Sequence, residues 1–252
     1  MSKTLLITGG ASGIGAETAR RAAQRGYKVA INYRTRDAQA MGLAADIAAN
    51  DGEAVALPAD LANEDDIVRL FRETERVFGP ITHLVNSAGI GGGSGRVDAF
   101  DRACLQRLFA TNVIGLMLCC REAAKRMSTR NGGKGGAIVN VSSMAATIGG
   151  RLGSSAYAGS KGAVDAFTKG FAREVASEGI RVNSIRPGMV LSEMTENRLK
   201  DDAFRSRIEA SIPMHRVGRV HEIAEAILWL LSDEASFVTG AMLDAAGGGY
   251  II

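Results

Sequence analysis

Tyr157 and Lys161, in the run Ser154-Ser155-Ala156-Tyr157-Ala158-Gly159-Ser160-Lys161-Gly162, are the residues best placed by type and spacing to do chemistry. Four positions apart on a helix, their side chains share one face. A phenol with its ordinary pKa near ~10 is too weak an acid to trade protons at neutral pH. A close ammonium favours the phenolate and brings the group toward that range. The pair suits general acid/base work, although Tyr and Lys at this spacing more often serve packing or a solvated surface when nothing else accompanies them.

A second set of residues suits phosphate. In TLLITGGASGIGAETARRAAQRG an apolar run passes through glycines into a helical pattern. Gly9, Gly13 and Gly15 follow a TGxxxGxG spacing, with Ser12 and Ile14 inside the turn. Glycines let such a turn close tightly and bring backbone against a pyrophosphate. The following helix offers free N–H groups and its positive end. The turn predicts a dinucleotide, whose oxidised nicotinamide would add a positive charge beside Tyr157.

The end of the second apolar run, Val29-Ala30-Ile31-Asn32-Tyr33-Arg34-Thr35-Arg36, bears on which dinucleotide. A site for NAD(H) places an Asp or Glu here to hold the ribose 2′-hydroxyl. This chain has no acid until Asp37, and the guanidinium groups of Arg34 and Arg36 suit a 2′-phosphate. NADP(H) is therefore expected, with NAD(H) the lesser alternative. The plainer reading makes both arginines solvated loop charges.

These residues need elements that end at a common edge. Short apolar strands are predicted at 4–8, 28–32, 54–57, 83–86, 137–142, 181–186 and 241–244. Helices are predicted at 13–25, 37–50, 63–77, 100–127, 157–177 and 220–231. Continuous apolar runs such as AIVNV and TLLIT suit a parallel sheet covered on both faces. The alternation predicts an α/β fold, one doubly wound domain over 1–252 of Rossmann type, with a mostly seven-stranded parallel sheet and helices on both faces. The glycine loop 91–95 follows a strand end and belongs to the ligand side; 131–136 precedes a strand and belongs to the opposite edge. The excursion near 188–216, with weak helical periodicity, is placed where lids lie.

Composition closes off other classes. The 30 basic and 27 acidic residues are interspersed, so the net +3 contains no basic block for nucleic acid or an anionic membrane. Cys104, Cys119 and Cys120 form no CxxC pair and have no histidine at ligand spacing, so no metal site is expected. The run holding Cys119 and Cys120 should be buried helix, consistent with a reduced cytosol. The N-terminal MSKTLLITGG leads straight into strand and turn, leaving no room for a signal peptide, and no apolar stretch is expected to reach the ~18–20 residues of a membrane span.

Along the chain, in order, stand TGGASGIG at 8–15, Asp60-Leu61, Asn86-Ser87-Ala88-Gly89, Asn112, Ser142-Ser143, Tyr157 with Lys161, RVNSIRPG at 181–188 and TGAMLDAAGG at 239–248. With these the sequence resembles the short-chain dehydrogenase/reductase family over essentially its whole length. The resemblance implies that Tyr157 exchanges the proton of a carbonyl or alcohol substrate. It implies that Lys161 lowers the tyrosine pKa and holds the nicotinamide ribose, and that Asn112 supports a water chain to Lys161. Asp60 and Leu61 should contact adenine. Asn86, Ala88 and Gly89 should line the cofactor. Pro187 and Gly188, followed by Val190, should border the nicotinamide. Tyr33 stands where an NAD-dependent member would carry its acid. Ser143 should hold the substrate oxygen, with Ser142 as the fallback facing the other side of its strand.

The sequence departs from the family pattern at several positions. Ser87 replaces a second asparagine, and Ser12 sits where many NADP(H) users carry a basic residue, which leaves Arg34 with more of the phosphate. Met144 lies thirteen residues before Tyr157, where the serine usually is, implying one inserted residue in 145–156. Ser192 takes the place of a common threonine. An NADPH-dependent carbonyl reductase, similar to the 3-oxoacyl-thioester reductases, is the leading expectation. A sugar or alcohol dehydrogenase resembling the family's glucose dehydrogenases is the alternative. A non-catalytic NADPH-binding protein is the third, and it would be expected to lack Tyr157, Lys161 or the serine. Substrate choice should fall to 91–95, 144–152 and the excursion with Met189, Met194, Leu199 and Phe204, at least half of which should be ordinary packing. Small and apolar residues on the Tyr157 helix (Ala163, Ala166, Phe167, Gly170, Ala172) and the tail ending Tyr250-Ile251-Ile252 suit the homotetramer that the resemblance implies.

Overall fold

The computed structural model describes residues 3–92 and 95–249. Part of the 91–95 glycine loop, the tail Tyr250-Ile251-Ile252 and the side chain of Met194 lie outside the described residues. The apolar runs form strands β1 Lys3–Thr8, β2 Tyr27–Tyr33, β3 Glu53–Pro58, β4 His83–Asn86, β5 Gly136–Val141 and β6 Ile180–Pro187. The short β7 Val190–Leu191 and β8 Gly218–Arg219 precede β9 Met242–Ala245. Seven strands pair in parallel in the order β3-β2-β1-β4-β5-β6-β9, while β7 and β8 pair separately. Winding reverses between β1 and β4, which opens a crevice at their C-terminal ends.

The helices are α1 Gly13–Gln24, α2 Asp37–Ala48, α3 Glu64–Phe78, α4 Arg102–Phe109, α5 Leu116–Met127, α6 Ala145–Ile148, α7 Ser155–Val175, α8 Glu193–Leu199, α9 Asp202–Ser211 and α10 Val220–Leu231. Alternation along each strand divides the core. Leu5, Ile7, Val29 and Ile31 pack beneath α1, α2 and α10. Leu6, Ala30, Leu84, Ile138 and Val182 pack beneath α3, α5 and α7. Apolar side chains on both faces of one strand explain the uninterrupted runs, because neither face meets water. Truncating one of these fully buried leucines to alanine would cost about 2–5 kcal/mol.

Two readings of the sequence need correction. The single helix expected at 100–127 contains a π-helical stretch, Ala110–Gly115, between α4 and α5. Its side-chain anchor is Asn112, which pairs with both the N–H and the carbonyl of Ile90 at 2.9 Å. The helical run Arg102–Met127 is also long and apolar enough by composition to cross a membrane. Its Leu116, Cys119, Cys120, Ala123 and Met127 are spent on the protein core, which is how a buried helix passes the same test.

The 188–216 excursion is more ordered than its weak periodicity suggested. Asp201 caps α9 by accepting from the N–H groups of Ala203 and Phe204 at 3.0 and 3.1 Å. Leu199, Ile208, Ile212 and Val217 make a small core of their own, with Met189 and Phe204 against it. The β7–β8 pair closes the segment at its base.

Candidate active site

The cleft begins at the glycine turn after β1. Gly9 has φ +62°, and a Cβ there would lie 2.7 Å from the Ala88 Cα. A Cβ on Gly15 would lie 2.5 Å from the Gly9 carbonyl oxygen. Only glycine lets the turn and α1 approach this closely. Asn32, which the motif reading passed over, fixes the turn from the next strand. Its Oδ1 accepts from Gly9 N–H at 3.3 Å, and its Nδ2 donates to the Ala59 carbonyl at 3.2 Å. Its signal in the sequence was an amide at the end of an otherwise apolar strand. Ser12 is extended and gives α1 no side-chain cap, and the first turn of α1 holds no acid. Uncapped N–H groups and the positive helix end make a site for an anion.

From this turn a cleft of about 790 Å³ runs along the C-terminal edge of the sheet. Gly9, Ser12, Gly13, Ile14, Tyr33, Arg34, Asp60 and Leu61 line one end. Ala88, Gly89, Ser143, Tyr157, Lys161, Pro187, Gly188, Val190 and Ser192 line the rest. Three expected residues lie behind the wall instead. Gly15 is covered by the turn itself. The Asn86 side chain turns beneath the floor, donating to Asn140 Oδ1 at 2.9 Å. Asn112 braces the Ile90 loop from the π-helical stretch. Ser192 reaches the cleft as the N-cap of α8, its N–H donating to Thr195 Oγ1 at 3.0 Å.

At the far end of the β2 edge the arginines are already engaged. Arg34 lies 4.0 Å from the Asp60 carboxylate, which also accepts from Arg107 at 2.9 Å. Burial pushes the Asp60 pKa up, but the Ala62 N–H, Arg107 and Arg34 outweigh it and hold the carboxyl below its ordinary value. Arg36 forms an ion pair with Glu193 at the start of α8. Of the two arginines, Arg34 is thus the less committed.

At the reactive end, β5 and α7 bring three side chains together. Ser142 and Ser143 point to opposite sides, as residues after a strand do. The Ser142 hydroxyl is buried and donates to the Lys161 carbonyl at 3.2 Å. Ser143 faces the cleft, accepts from Ala145 N–H at 3.1 Å and stands close enough to Tyr157 to favour its phenolate. A Cβ on Gly89 would lie 3.5 Å from Lys161 Nζ and 3.6 Å from Asn112 Oδ1, so all three meet at one corner.

Burial dominates the electrostatics of the pair. Burial raises the Tyr157 pKa above 10.0, and Ser143 only partly offsets it. Lys161 does not lower it, because its Nζ donates to the Val141 carbonyl at 2.7 Å and lies 5.8 Å from the centre of the tyrosine ring. Burial also brings the Lys161 pKa down to about 8, with Asp165 pulling it back up. Asp165 was missed in the sequence, although it follows Lys161 by one helical turn. It is buried, accepts from Arg186 Nε at 2.8 Å and from Ser184 Oγ at 3.3 Å.

The residues present fit a dinucleotide. Beyond the glycine cradle and the uncapped helix, Asn86 Oδ1 and Thr111 Oγ1 are buried without a partner among the described residues. Thr111 borders the cleft, where a polar ligand can satisfy it. Cys119 and Cys120 are buried, and burial pushes the Cys120 thiol up to about 12, while exposed Cys104 lies on α4 outside the cleft lining. No cluster of potential metal ligands occurs among the described residues.

A family model described as enoyl-(acyl carrier protein) reductase matches residues 9–250. An uncharacterized oxidoreductase of Escherichia coli, YgfF, is 45% identical over 96% of this chain and 98% of its own. The 3-oxoacyl-[acyl-carrier-protein] reductase of Mus musculus is 37% identical, covering 98% of each chain. A short-chain type dehydrogenase/reductase from Mycobacterium ulcerans superposes with a TM-score of 0.92 at 32% identity, over 99% of this chain and 91% of that one. The chain belongs to the short-chain dehydrogenase/reductase family and is an oxidoreductase of its nicotinamide-dependent type, acting on carbonyl or alcohol groups.

Proposed function

We propose that this short-chain dehydrogenase/reductase is an NADPH-dependent carbonyl reductase of the cytosol, working in the direction of reduction. The observation that carries this reading is the convergence of Ser143 and Tyr157 in the cleft that begins at the glycine turn, with Tyr157 holding its proton. A reductase needs a proton donor at the carbonyl oxygen, and a phenol above its ordinary pKa is protonated at neutral pH.

When bound, the dihydronicotinamide supplies the hydride. The turn at Gly9–Gly15 and the start of α1 hold the pyrophosphate, Arg34 the 2′-phosphate, and Lys161 the nicotinamide ribose. Pro187, Gly188, Val190 and Ser192 border the nicotinamide end. Ser143 donates a hydrogen bond to the substrate oxygen, and Tyr157 gives that oxygen its proton. Asn112 and Lys161, which meet at Gly89, carry the replacement proton through water. The 188–216 segment is the lid over the substrate. Half-buried Phe167 and exposed Ala166 and Gly170 on α7 leave a face for the homotetramer.

The reading is supported by relatives named 3-oxoacyl-[acyl-carrier-protein] reductases. Its test is a screen of NADPH oxidation across ketones, aldehydes, acyl thioesters and quinones, run beside NADP⁺ reduction by sugars and alcohols. Turnover should appear in the first set. Turnover confined to the second would replace the reductase by an alcohol or sugar dehydrogenase, and none in either would leave a cofactor-binding protein.

A further inference from the structure

The substrate end of the cleft has an unusual charge balance. Its walls include apolar Met144, Ile148, Met189, Ile208 and Ile212, together with the arginines Arg151 and Arg198. Arg151 comes from the loop between α6 and α7, and Arg198 from α8. The Arg151 guanidinium stacks 4.9 Å from the ring centre of Phe204, and Arg207 of α9 lies 5.6 Å from the same ring. Two guanidinium groups thus flank one aromatic ring, and Arg198, from a third segment, lines the same end of the cleft near enough for Arg151 to feel its charge.

None of the three has an ion-pair partner among the described residues, whereas most arginines of this chain have one. Of the five acids on α8, α9 and the link between them, all but Asp202 are committed elsewhere. Glu193 pairs with Arg36, Glu196 with Lys200 at 3.6 Å, and Glu209 with Arg205 at 3.0 Å, while Asp201 caps α9. Burial, then the charges of Arg198 and Arg207, push the Arg151 pKa down, the mark of cations crowded without a counter-ion. Arg151 is half-buried while Arg198 and Arg207 are exposed, so the want of a counter-ion falls chiefly on Arg151. Phe204 supplies a face for two of the guanidiniums but no charge.

We propose that Arg151 and Arg198, backed by Arg207, form a receptor for an oxoanion carried by the carbonyl substrate at a distance from its reacting carbon. Guanidinium forks match carboxylate and phosphate alike, so the shared chemistry is a planar or tetrahedral oxoanion. The inference deepens the reductase reading and rests on it. Apolar side chains between the arginines and the reaction centre suit a substrate with a hydrocarbon stretch between carbonyl and anion.

The test uses matched pairs of carbonyl compounds at saturating NADPH. Acetoacetate is set against ethyl acetoacetate, dihydroxyacetone phosphate against dihydroxyacetone, and acetoacetyl-coenzyme A against acetoacetyl-N-acetylcysteamine. In at least one pair the anionic member should have a kcat/KM about 10-fold or more higher, chiefly through KM, as charge-assisted hydrogen bonds imply. The pair that shows it separates carboxylate from phosphate. Arg151→Gln and Arg198→Gln should each bring that ratio toward one, Arg151→Lys should keep part of it, and added salt should shrink it. Equal kcat/KM within all pairs, or a ratio untouched by both variants, overturns the receptor while leaving the reductase standing. If no compound is reduced, the reductase reading fails. The receptor is then judged by calorimetric titration of inorganic phosphate and of glutarate into the NADP⁺-loaded protein. Binding lost in Arg151→Gln and Arg198→Gln, with unchanged thermal melts, supports it; no binding, or binding the variants keep, overturns it.

Discussion

Arg34→Ala is the sharpest perturbation of cofactor choice. A charge-assisted hydrogen bond to a buried partner contributes on the order of 1.5–3 kcal/mol, or roughly 10–150-fold in affinity. Two features of the site place Arg34 at the low end. Its side chain is 48% exposed, so water screens the contact, and the Asp60 carboxylate 4.0 Å away already takes part of its charge. Asp60 keeps Arg107 at 2.9 Å when Arg34 is lost, so the loop should not collapse. NADPH binding should therefore weaken about 10-fold in Arg34→Ala, and NADH binding should scarcely change because it has no phosphate there. Tyr33→Asp combined with Arg34→Ala should swing the preference to NADH, since a carboxylate repels the phosphate and accepts from the ribose 2′-hydroxyl. Arg36 offers a control. Glu193→Gln frees it, and in that background the loss from Arg34→Ala should be smaller. The assay is a set of paired fluorescence titrations with NADPH and NADH on each protein. Equal losses for both cofactors in Arg34→Ala would show that Arg34 supports the loop or stacks on adenine. Wild type preferring NADH would refute the assignment to NADP(H).

Tyr157→Phe should lower turnover at least ~100-fold while NADPH affinity stays within about 2-fold, because the ring still packs; activity above a tenth of wild type would remove Tyr157 from the acid/base role. Ser143→Ala and Ser142→Ala should separate: the first lowers kcat with little change in melting, and the second costs about 0.5–1.5 kcal/mol of stability by removing the bond that ties the strand end to the Lys161 carbonyl. The reverse pattern would exchange their roles. Buried His83 should govern part of the acid limb of stability. Burial, then Lys3 and Arg181, bring its pKa down to about 4 from 6.5 when unfolded, so its contribution is complete above pH 6.5 and lost as pH falls toward 4. Across that span of about 2.5 units wild type should lose about 3 kcal/mol more than His83→Gln in urea titrations, and parallel slopes would contradict it. Light scattering at micromolar concentration should report a tetramer, and a monomer would contradict the interface assigned to α7.

The sheet was legible because its inner strands are buried on both faces, so apolar runs and their spacing coincide with strands to within a residue or two. The phosphate turn was legible for a local reason, since strand, glycines and helix are contiguous in the chain. Ser142 and Ser143 could not be separated with the same certainty. The pleat decides between them, and it depends on where β5 ends. The spacing of Lys161 from Tyr157 gave their shared helix face, but the bond from its Nζ to the Val141 carbonyl depends on a strand twenty residues away in sequence. Arg36 looked free because its partner, Glu193, lies far along the sequence on a helix whose periodicity is weak. Arg151, Arg198 and Arg207 gave no motif at all, for they come together only when three segments fold at one end of the cleft.

That contrast has a structural cause. Parallel strands put all their C-terminal ends on one edge, so the segments leaving β1, β4, β5 and β6 face one cleft however far apart they lie in sequence. Residues tied to those exits are fixed by the sheet: Gly9 by its closeness to Ala88, Ser143 by the pleat of β5, and Tyr157 by α7, whose Val164, Phe171 and Val175 anchor it in the core. Ser142 adds a direct tie by bonding the Lys161 carbonyl from the strand end. The arginines at the substrate end hang on α8, α9 and the α6–α7 loop, none of which contributes to the main sheet. Changes there can alter charge and shape without disturbing a strand pair or the Ser143–Tyr157 contact. The reaction is thus written into the sheet and its one anchored helix, and the substrate into the segments laid over them, which is why short contiguous motifs reveal the first and only the folded chain reveals the second.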